Sequence, residues 1–352
     1  MNLKIMLHGA TNCHSSNYGD FIYANMVFNY LNRKNINVCL YQPSPYFCKY
    51  LPHYDNIHKF SISELDALVY LPGGYFGEGH NASFKENLIQ FFRFLPVGIF
   101  AAFKNKPIAI LAIGAGPITW KPFRVFIKYI CQHAKLITTR DEESYRALKT
   151  LCPNNSSIMP SFDFIVTNSE LKKKIYRKVN KGPTMLVHYN HSYEALKKFA
   201  YAVKLFSCNH PEFSFVVSSD QILNCDEAMY QQFLSLSKIK NCRFHKYDNP
   251  DEMTNLIGNS DAILTSKLHV GVVGAMLGKS VISVPCHPEK TKRFYQEIGE
   301  TQRCISLYDS SVETINELLE KYYCKKIFIS ERNIKRANIT VKLFDQFLQG
   351  LR

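Results

Sequence analysis

The sequence predicts an α/β fold with parallel sheets, arranged as two domains. Short apolar runs with strand spacing alternate with helical stretches along the whole chain, the pattern of parallel strands joined by crossover helices. The chain has 352 residues, more than one hydrophobic core ordinarily serves. Loops of glycine and polar residues recur where the apolar runs stop, and in open α/β sheets those loops hold ligands.

The elements follow in order. Leu3–Leu7 reads as a first strand, His8–Asp20 as a loop and Phe21–Arg33 as a helix. Asn37–Tyr41 and Ala67–Leu71 read as strands, the latter closed by Pro72-Gly73-Gly74. Phe84–Phe103 is helical, with a kink expected at Pro96 because proline removes a backbone donor. Ile108–Ile113 is a continuous apolar strand, Phe123–His133 a helix, Leu136–Thr139 a strand and Glu142–Leu151 a helix, and Ser156–Pro160 ends the first half. The lysine-rich segment Lys172–Gly182 reads as a linker. It sets a first domain at 1–175 and a second at 183–326, with a helical tail at 327–352 expected to pack back across both. In the second half Met185–His188 and Phe213–Ser218 read as strands and Tyr193–Ser207 and Glu227–Ser237 as helices. Val312–Tyr322 and Ile327–Gly350 close the chain as helices.

The segment Asp261–Pro285, DAILTSKLHVGVVGAMLGKSVISVP, carries the sharpest functional signal. Ala262–Leu264 is a buried strand, Thr265 and Ser266 suit a helix N-cap, and Lys267–Leu277 has helical spacing. A lysine and a histidine therefore stand in the first turn of a helix at the carboxyl end of a strand. A helix N-terminus offers free N–H donors and a positive dipole end. Lys267 adds charge and His269 a titratable ring. Either residue alone would ordinarily be solvated or structural. Together in this position they point to an anionic substrate.

Composition narrows the classes. Lys and Arg number 43 against 29 Asp and Glu, a net charge of +14, which suits anionic partners. The basic residues form no long run, and no helix-turn-helix, RRM or finger pattern is present, so nucleic acid is not expected as a partner. The eleven cysteines contain no C-x-x-C pair and read as reduced thiols of a cytoplasmic protein. The opening MNLKIMLHGA lacks the long apolar core of a signal peptide, and no run approaches the ~18 apolar residues of a membrane span. His188-x-x-His191 lacks a plausible third ligand, so no metal is expected.

Four loops mark strand ends: Asn17-Tyr18-Gly19-Asp20, Pro72 to Gly77, Gly114-Ala115-Gly116-Pro117, and Thr139-Arg140-Asp141-Glu142-Glu143-Ser144. None is a Walker loop, and no G-x-G-x-x-G follows the first strand. Their order is distinctive. NYGD, LPGG, AIGAGP, TTRDEES, FDF, TSKLHVGVVGAMLGKSVISVP and EKTKRFYQEIG, spread over Gly9–Gly299, resemble the polysaccharide pyruvyl transferase family.

That resemblance implies two Rossmann-like domains of GT-B-like architecture with a cleft between them, the first on the acceptor side. It implies transfer of pyruvate from phosphoenolpyruvate onto two hydroxyls of a hexose in a surface polysaccharide or its lipid-linked, polyprenyl-pyrophosphate precursor, with phosphate released. Phosphoenolpyruvate is the donor substrate, and no cofactor is implied. His269 is the implied acid–base, with Arg140 and Lys267 as cationic grips on the donor and Lys290 as a third cation. The resemblance assigns substrate binding to Asn17, Asp20, Gly73, Gly74, Gly114, Gly116, Ser144, Asp163 and Ser266. Two positions depart from the family pattern. Its helix usually begins Arg-Leu-His, where this chain has Lys267, and its third glycine is Tyr75 here.

Two other readings share the architecture. A nucleotide-sugar glycosyltransferase is one; Glu289 and Glu297 satisfy its E-x7-E spacing, but without the glycine-rich context of that signature. A non-catalytic glycan-binding relative is the other, motivated by Lys267 and Tyr75. Finally, Phe91–Lys106 and Lys121–Lys135 interleave aromatics with Lys and Arg. The plain expectation is two helices covering a sheet with basic outer faces. The functional one is peripheral contact with an anionic membrane, at the inner face of the plasma membrane.

Overall fold

In the computed structural model the strand–helix alternation resolves into two parallel sheets. It describes residues 3–12, 16–41, 43–51, 54–57, 62–78, 83–176, 182–189, 192–222 and 225–352. The expected linker falls partly outside these, at 177–181, as does His191. The chain divides into two units, the first comprising Met1–Ser16, Asp20–Thr167 and Glu331–Arg352, the second Asn17–Gly19 and Asn168–Ser330.

The first unit holds strands β1 (Lys4–His8), β2 (Asn37–Tyr41), β3 (Asp55–Ile57), β4 (Ala67–Tyr70), β5 (Ile108–Ile113), β6 (Leu136–Thr139) and β7 (Ile158–Pro160). Their spatial order is β3-β2-β1-β4-β5-β6-β7, and every described pairing is parallel. Helices α1 (Tyr18–Asn32), α2 (Pro45–Tyr50), α3 (Phe84–Phe103), α4 (Lys121–His133) and α5 (Glu142–Leu151) connect them. In the second unit, α6 (Glu170–Lys173) precedes β8 (Thr184–His188), α7 (Tyr193–Asn209), β9 (Ser214–Ser218), α8 (Asp226–Ser237) and β10 (Cys242–His245). Then come α9 (Pro250–Gly258), β11 (Ala262–Thr265), α10 (Leu268–Met276), β12 (Ser280–Ser283), α11 (Pro288–Glu297) and α12 (Val312–Tyr322). The second sheet runs β10-β9-β8-β11-β12.

Both orders are those of a doubly wound sheet. The order reverses between β1 and β4 and again between β8 and β11, and such a reversal opens a crevice at the strands' carboxyl ends. In the second sheet that crevice is flanked by His188 and Thr265, which face each other in the β8/β11 register. In the first it is flanked by His8 and Tyr70.

Two boundaries differ from the sequence expectation by three residues or more. Helix α1 starts at Tyr18, three residues before Phe21, because Tyr18 is already wholly buried and its N–H donates to the Asp220 carbonyl at 3.0 Å. The last helix, α13 (Glu331–Gln349), starts after Ile327. Ile327 instead donates its N–H to the Lys279 carbonyl at 3.0 Å, an extended contact that holds this stretch to the second unit. Helix α13 packs within the first unit, where Thr340 Oγ1 donates to Thr138 Oγ1 at 3.0 Å and Arg336 donates to the Ser161 carbonyl at 3.0 Å.

His8 is wholly buried at the end of β1. Its Nε2 lies 3.0 Å from the Phe94 carbonyl, which can only accept, so Nε2 carries the proton. Burial drives the ring's pKa down to about 4 against the opposing pull of that hydrogen bond. The unfolded chain therefore binds a proton at His8 that the folded chain refuses, and stability falls as pH drops from 6.5 toward about 4. Urea titrations of wild type and His8→Gln should diverge accordingly. Acidification from neutrality to about pH 5 should cost wild type about 2 kcal/mol more than the variant; parallel losses would show that His8 titrates normally.

Candidate active site

The second sheet's crevice gathers charged and titratable side chains from four segments. Asp220 lies two residues beyond β9 and is 2% exposed. Its Oδ1 is 3.7 Å from Lys267 Nζ and 3.6 Å from His188 Nε2. Its Oδ2 accepts from Asn17 Nδ2 at 3.5 Å. His188 is wholly buried, and its Nδ1 is 3.1 Å from Thr265 Oγ1.

The entry to α10 is built differently from a simple Ser/Thr cap. Lys267 itself occupies the cap position, with extended backbone. Thr265 Oγ1, two residues back, accepts the Lys267 N–H at 3.1 Å. The Ser266 N–H donates to the His188 carbonyl at 3.0 Å, while its buried hydroxyl makes no hydrogen bond among the described residues. This turn fixes Lys267 over Asp220 and puts His269 in the helix's first turn. The helix sits close on its sheet: a Cβ at Gly274 would come within 2.7 Å of Ile263 Cδ1.

Gly19 closes one side of this group. A Cβ there would lie 1.8 Å from His269 Nδ1 and 2.6 Å from its Cβ. Only glycine lets the α1 N-terminus approach the imidazole so closely. Tyr18 anchors the same segment, its hydroxyl 2.8 Å from Thr254 Oγ1. Lys290 is exposed in the first turn of α11.

In the first unit the other glycine loops meet one another. Gly114 N–H donates to the Gly73 carbonyl at 2.7 Å, and Gly116 N–H to the Phe76 carbonyl at 3.0 Å. Ser144 Oγ accepts the Ala115 N–H at 2.9 Å. Arg140 is 6% exposed, with its guanidinium against Gly114 and its Nε 3.5 Å from Asp141 Oδ2. Its Nη1 is buried without a hydrogen bond among the described residues. Asp163 accepts from the Tyr23 hydroxyl at 2.7 Å and from the Ile165 N–H at 3.1 Å. Burial raises its pKa against those bonds and the Arg140 charge. Asp20 stands half-exposed in the first turn of α1.

Tyr75, the residue in place of a third glycine, folds back onto its own loop. Its hydroxyl donates to the Pro72 carbonyl at 3.3 Å, and its ring packs 4.4 Å from that of Phe94. The ring lies over Gly9 and Gly73, where added Cβ atoms would meet it at 2.5 and 2.1 Å. An aromatic side chain thus fills the crevice of the first sheet, whereas Lys267, Asp220 and the histidines line that of the second. Gly74 remains half-exposed beside the ring.

The family model for polysaccharide pyruvyl transferase matches residues 17–288. The chain belongs to the polysaccharide pyruvyl transferase family. That membership implies a glycan acceptor. No curated protein matches the chain at the sequence level. Among solved structures, the fold of this pyruvyl transferase family member is similar to that of a putative UDP-N-acetylglucosamine 2-epimerase from Listeria monocytogenes, with a TM-score of 0.70 and 10% identity over 99% of this chain and 98% of that one. It is also similar to UDP-GlcNAc 2-epimerase from Neisseria meningitidis, with a TM-score of 0.68 and 15% identity over 99% and 100% of the two chains. MurG of Acinetobacter baumannii aligns with a TM-score of 0.55 and 13% identity over 99% of each chain. The GT-B-like pair of α/β domains is therefore the fold of this chain too.

His188 and Asp220 are the members of the site that sequence reasoning missed. His188 is visible as the last residue of an apolar strand, yet its spacing to His191 drew attention to metal binding. Among the described residues no three His, Cys, Asp or Glu side chains gather as a metal site. Asp220 lies two residues after a predicted strand, and only the sheet order brings that strand's end beside β8.

Gly19→Ala tests the packing around His269. A methyl group there meets the Cβ and ring of His269, so ring or helix must shift, at about 1–3 kcal/mol. Thermal melts should show that loss, and the His269 ring resonances should move in NMR spectra of the variant. Unchanged ring resonances would mean that Gly19 does not confine the imidazole.

Proposed function

We propose that this chain is a phosphoenolpyruvate-dependent ketal transferase. It moves a pyruvyl group onto two hydroxyls of a hexose in a surface polysaccharide or its lipid-linked precursor. The observation that carries the reading is the pairing of Lys267 and His269 at the start of α10, in the crevice of the second sheet, in a chain of this family.

Phosphoenolpyruvate presents a phosphate and a carboxylate, and both call for cations and N–H donors. Lys267 supplies charge beside the N-terminal amides and positive dipole end of α10. In the reaction one sugar hydroxyl attacks C2 of the enol as C3 takes a proton and becomes a methyl group. The C2–O bond to phosphate then breaks, and a second hydroxyl closes the ketal at C2. The two hydroxyl protons end on C3 and on the departing phosphate. His269 is the group proposed to relay them, since imidazole exchanges protons near neutrality. Asp220 and His188 act behind Lys267, holding the ammonium in place.

In the first unit, Arg140 is proposed as a further cation required for turnover. Its buried guanidinium bears an Nη1 without a hydrogen bond among the described residues. Asp163 acts through Tyr23 and the Arg140 charge. Asp20 is the carboxylate proposed for acceptor hydroxyls. No step in this scheme requires a cofactor.

A second reading rests on a fold neighbour, the Neisseria meningitidis epimerase, which binds UDP-GlcNAc. Under it the same crevice would hold a nucleotide sugar. Radiolabelled phosphoenolpyruvate and radiolabelled UDP-GlcNAc, each offered with β-galactosides and N-acetylhexosamines, separate the two. Incorporation of pyruvyl label with stoichiometric phosphate release is expected; sugar label alone would replace this proposal with the second reading.

Three substitutions probe the assigned roles. His269→Ala should lower kcat for phosphate release by roughly 10²–10⁴ with an unchanged thermal midpoint. Lys267→Ala should raise KM for phosphoenolpyruvate. Asp220→Asn should move kcat and that KM together, since it frees Lys267. Wild-type turnover in His269→Ala would remove the acid–base role and favour a non-catalytic, glycan-binding relative.

A further inference from the structure

Helix α3 is apolar on both of its sides. Its inner side buries Phe94, Leu95, Val97, Ala101 and Ala102. Its outer side carries Leu88, Phe92, Pro96, Ile99 and Phe103 at spacings of four, four, three and four, a single stripe down the helix. Phe92 is 65% and Phe103 68% exposed. A helix apolar all round is ordinarily covered on all sides. Here Ile99, Phe100 and Phe103 instead form one wall of an open groove of about 560 Å³, with Val125, Phe126 and Tyr129 of α4 as the other.

The charge along these two helices is predominantly basic. From Phe84 to Lys135 the sequence holds eight lysines and arginines and one acid, Glu86. Glu86 is occupied by the capping box with Ser83 at the start of α3. Lys85, Lys104, Lys121, Arg124 and Lys128 are exposed along the two helices, and Lys104 Nζ lies 5.7 Å over the Phe100 ring. No helix among the described residues is long and apolar enough to cross a membrane.

We propose that the outer face of α3 and α4 docks on an anionic phospholipid bilayer. Its aromatic stripe enters the headgroup–acyl boundary, and its cations meet the lipid phosphates. Charge decides between occupants. A second copy of the chain seated on this face would bring two strongly basic surfaces together, whereas an anionic bilayer complements every cation and dehydrates the stripe. This inference is independent of the donor and of the reaction proposed above.

Vesicle flotation of the full chain tests it, with phosphatidylcholine alone and mixed with phosphatidylglycerol. Wild type should float with the mixed vesicles at low salt and stay behind with the neutral ones. Lys104→Gln/Lys128→Gln should lower the partition coefficient roughly thirty-fold, at about 1 kcal/mol per cation. Phe92→Ser/Phe103→Ser should lower it by roughly tenfold or more. Both rings are largely exposed in the folded chain, so its thermal midpoint should match wild type. Failure of wild type to float, or equal flotation of all three proteins, would overturn the proposal. So would sedimentation equilibrium showing a wild-type dimer that the Phe pair dissociates while flotation persists, which would mark the face as an interface between copies.

Discussion

A buried carboxylate at Asp220 sets the terms for the second unit. A carboxylate taken out of water without partners costs several kcal/mol, and Asp220 is nearly sealed. Its compensation comes from three places that are distant in sequence: Asn17, His188 and Lys267. Each is brought there by a separate element, and the parallel register of β8, β9 and β11 makes those elements end at one edge. The same residues that balance the carboxylate thus line the crevice, so the site's electrostatics and the unit's folding share their contacts.

The first unit solves its own crevice in the opposite way. There the doubly wound order also opens a gap, beside His8 and Tyr70. Tyr75 fills it, covering Gly9 and Gly73 and stacking toward Phe94. Its hydroxyl satisfies itself on the Pro72 carbonyl, as a buried tyrosine requires. Gly9 has a φ of +111°, which a side chain would strain, and the space a side chain would need belongs to the ring. The loop's glycines thus make room for an aromatic, and the charged chemistry is left to the neighbouring loops, where Arg140, Asp141 and Asp163 lie buried together.

How much of this was legible in the sequence follows from what each signal physically encodes. Buried central strands such as Ile108–Ile113 and Thr184–His188 are continuous apolar runs, and such runs announce themselves. The edge strands Asp55–Ile57 and Cys242–His245 are short and, for the latter, only half-buried, so no periodic signal marks them. Helix α9 has a local signal in Asn249-Pro250, since the Asn249 side chain accepts the Asp251 N–H, but its apolar face is brief. For the site, Lys267 and His269 were legible because strand, turn and helix are contiguous. Asp220 and His188 were not, because nothing local in the chain records which strand ends become neighbours. Helix α3 shows the converse limit. Its periodicity says that it is helical, but a helix apolar on both sides does not state what covers the second one.

The lysine at position 267, where the family's helix usually begins with arginine, gains a physical rationale from Asp220. Arginine pairs with a carboxylate through a planar fork, two parallel hydrogen bonds that fix the guanidinium. Beside a buried carboxylate, an arginine would be drawn into that fork and turned away from any second anion. A lysine ammonium is compact, with three donors on a rotatable stem. At 3.7 Å from Asp220 Oδ1 it is attracted without being captured, and donors remain for a second partner. The substitution and the carboxylate therefore belong together as one local arrangement, in which Asp220 orients the cation and the cation's small size keeps it available.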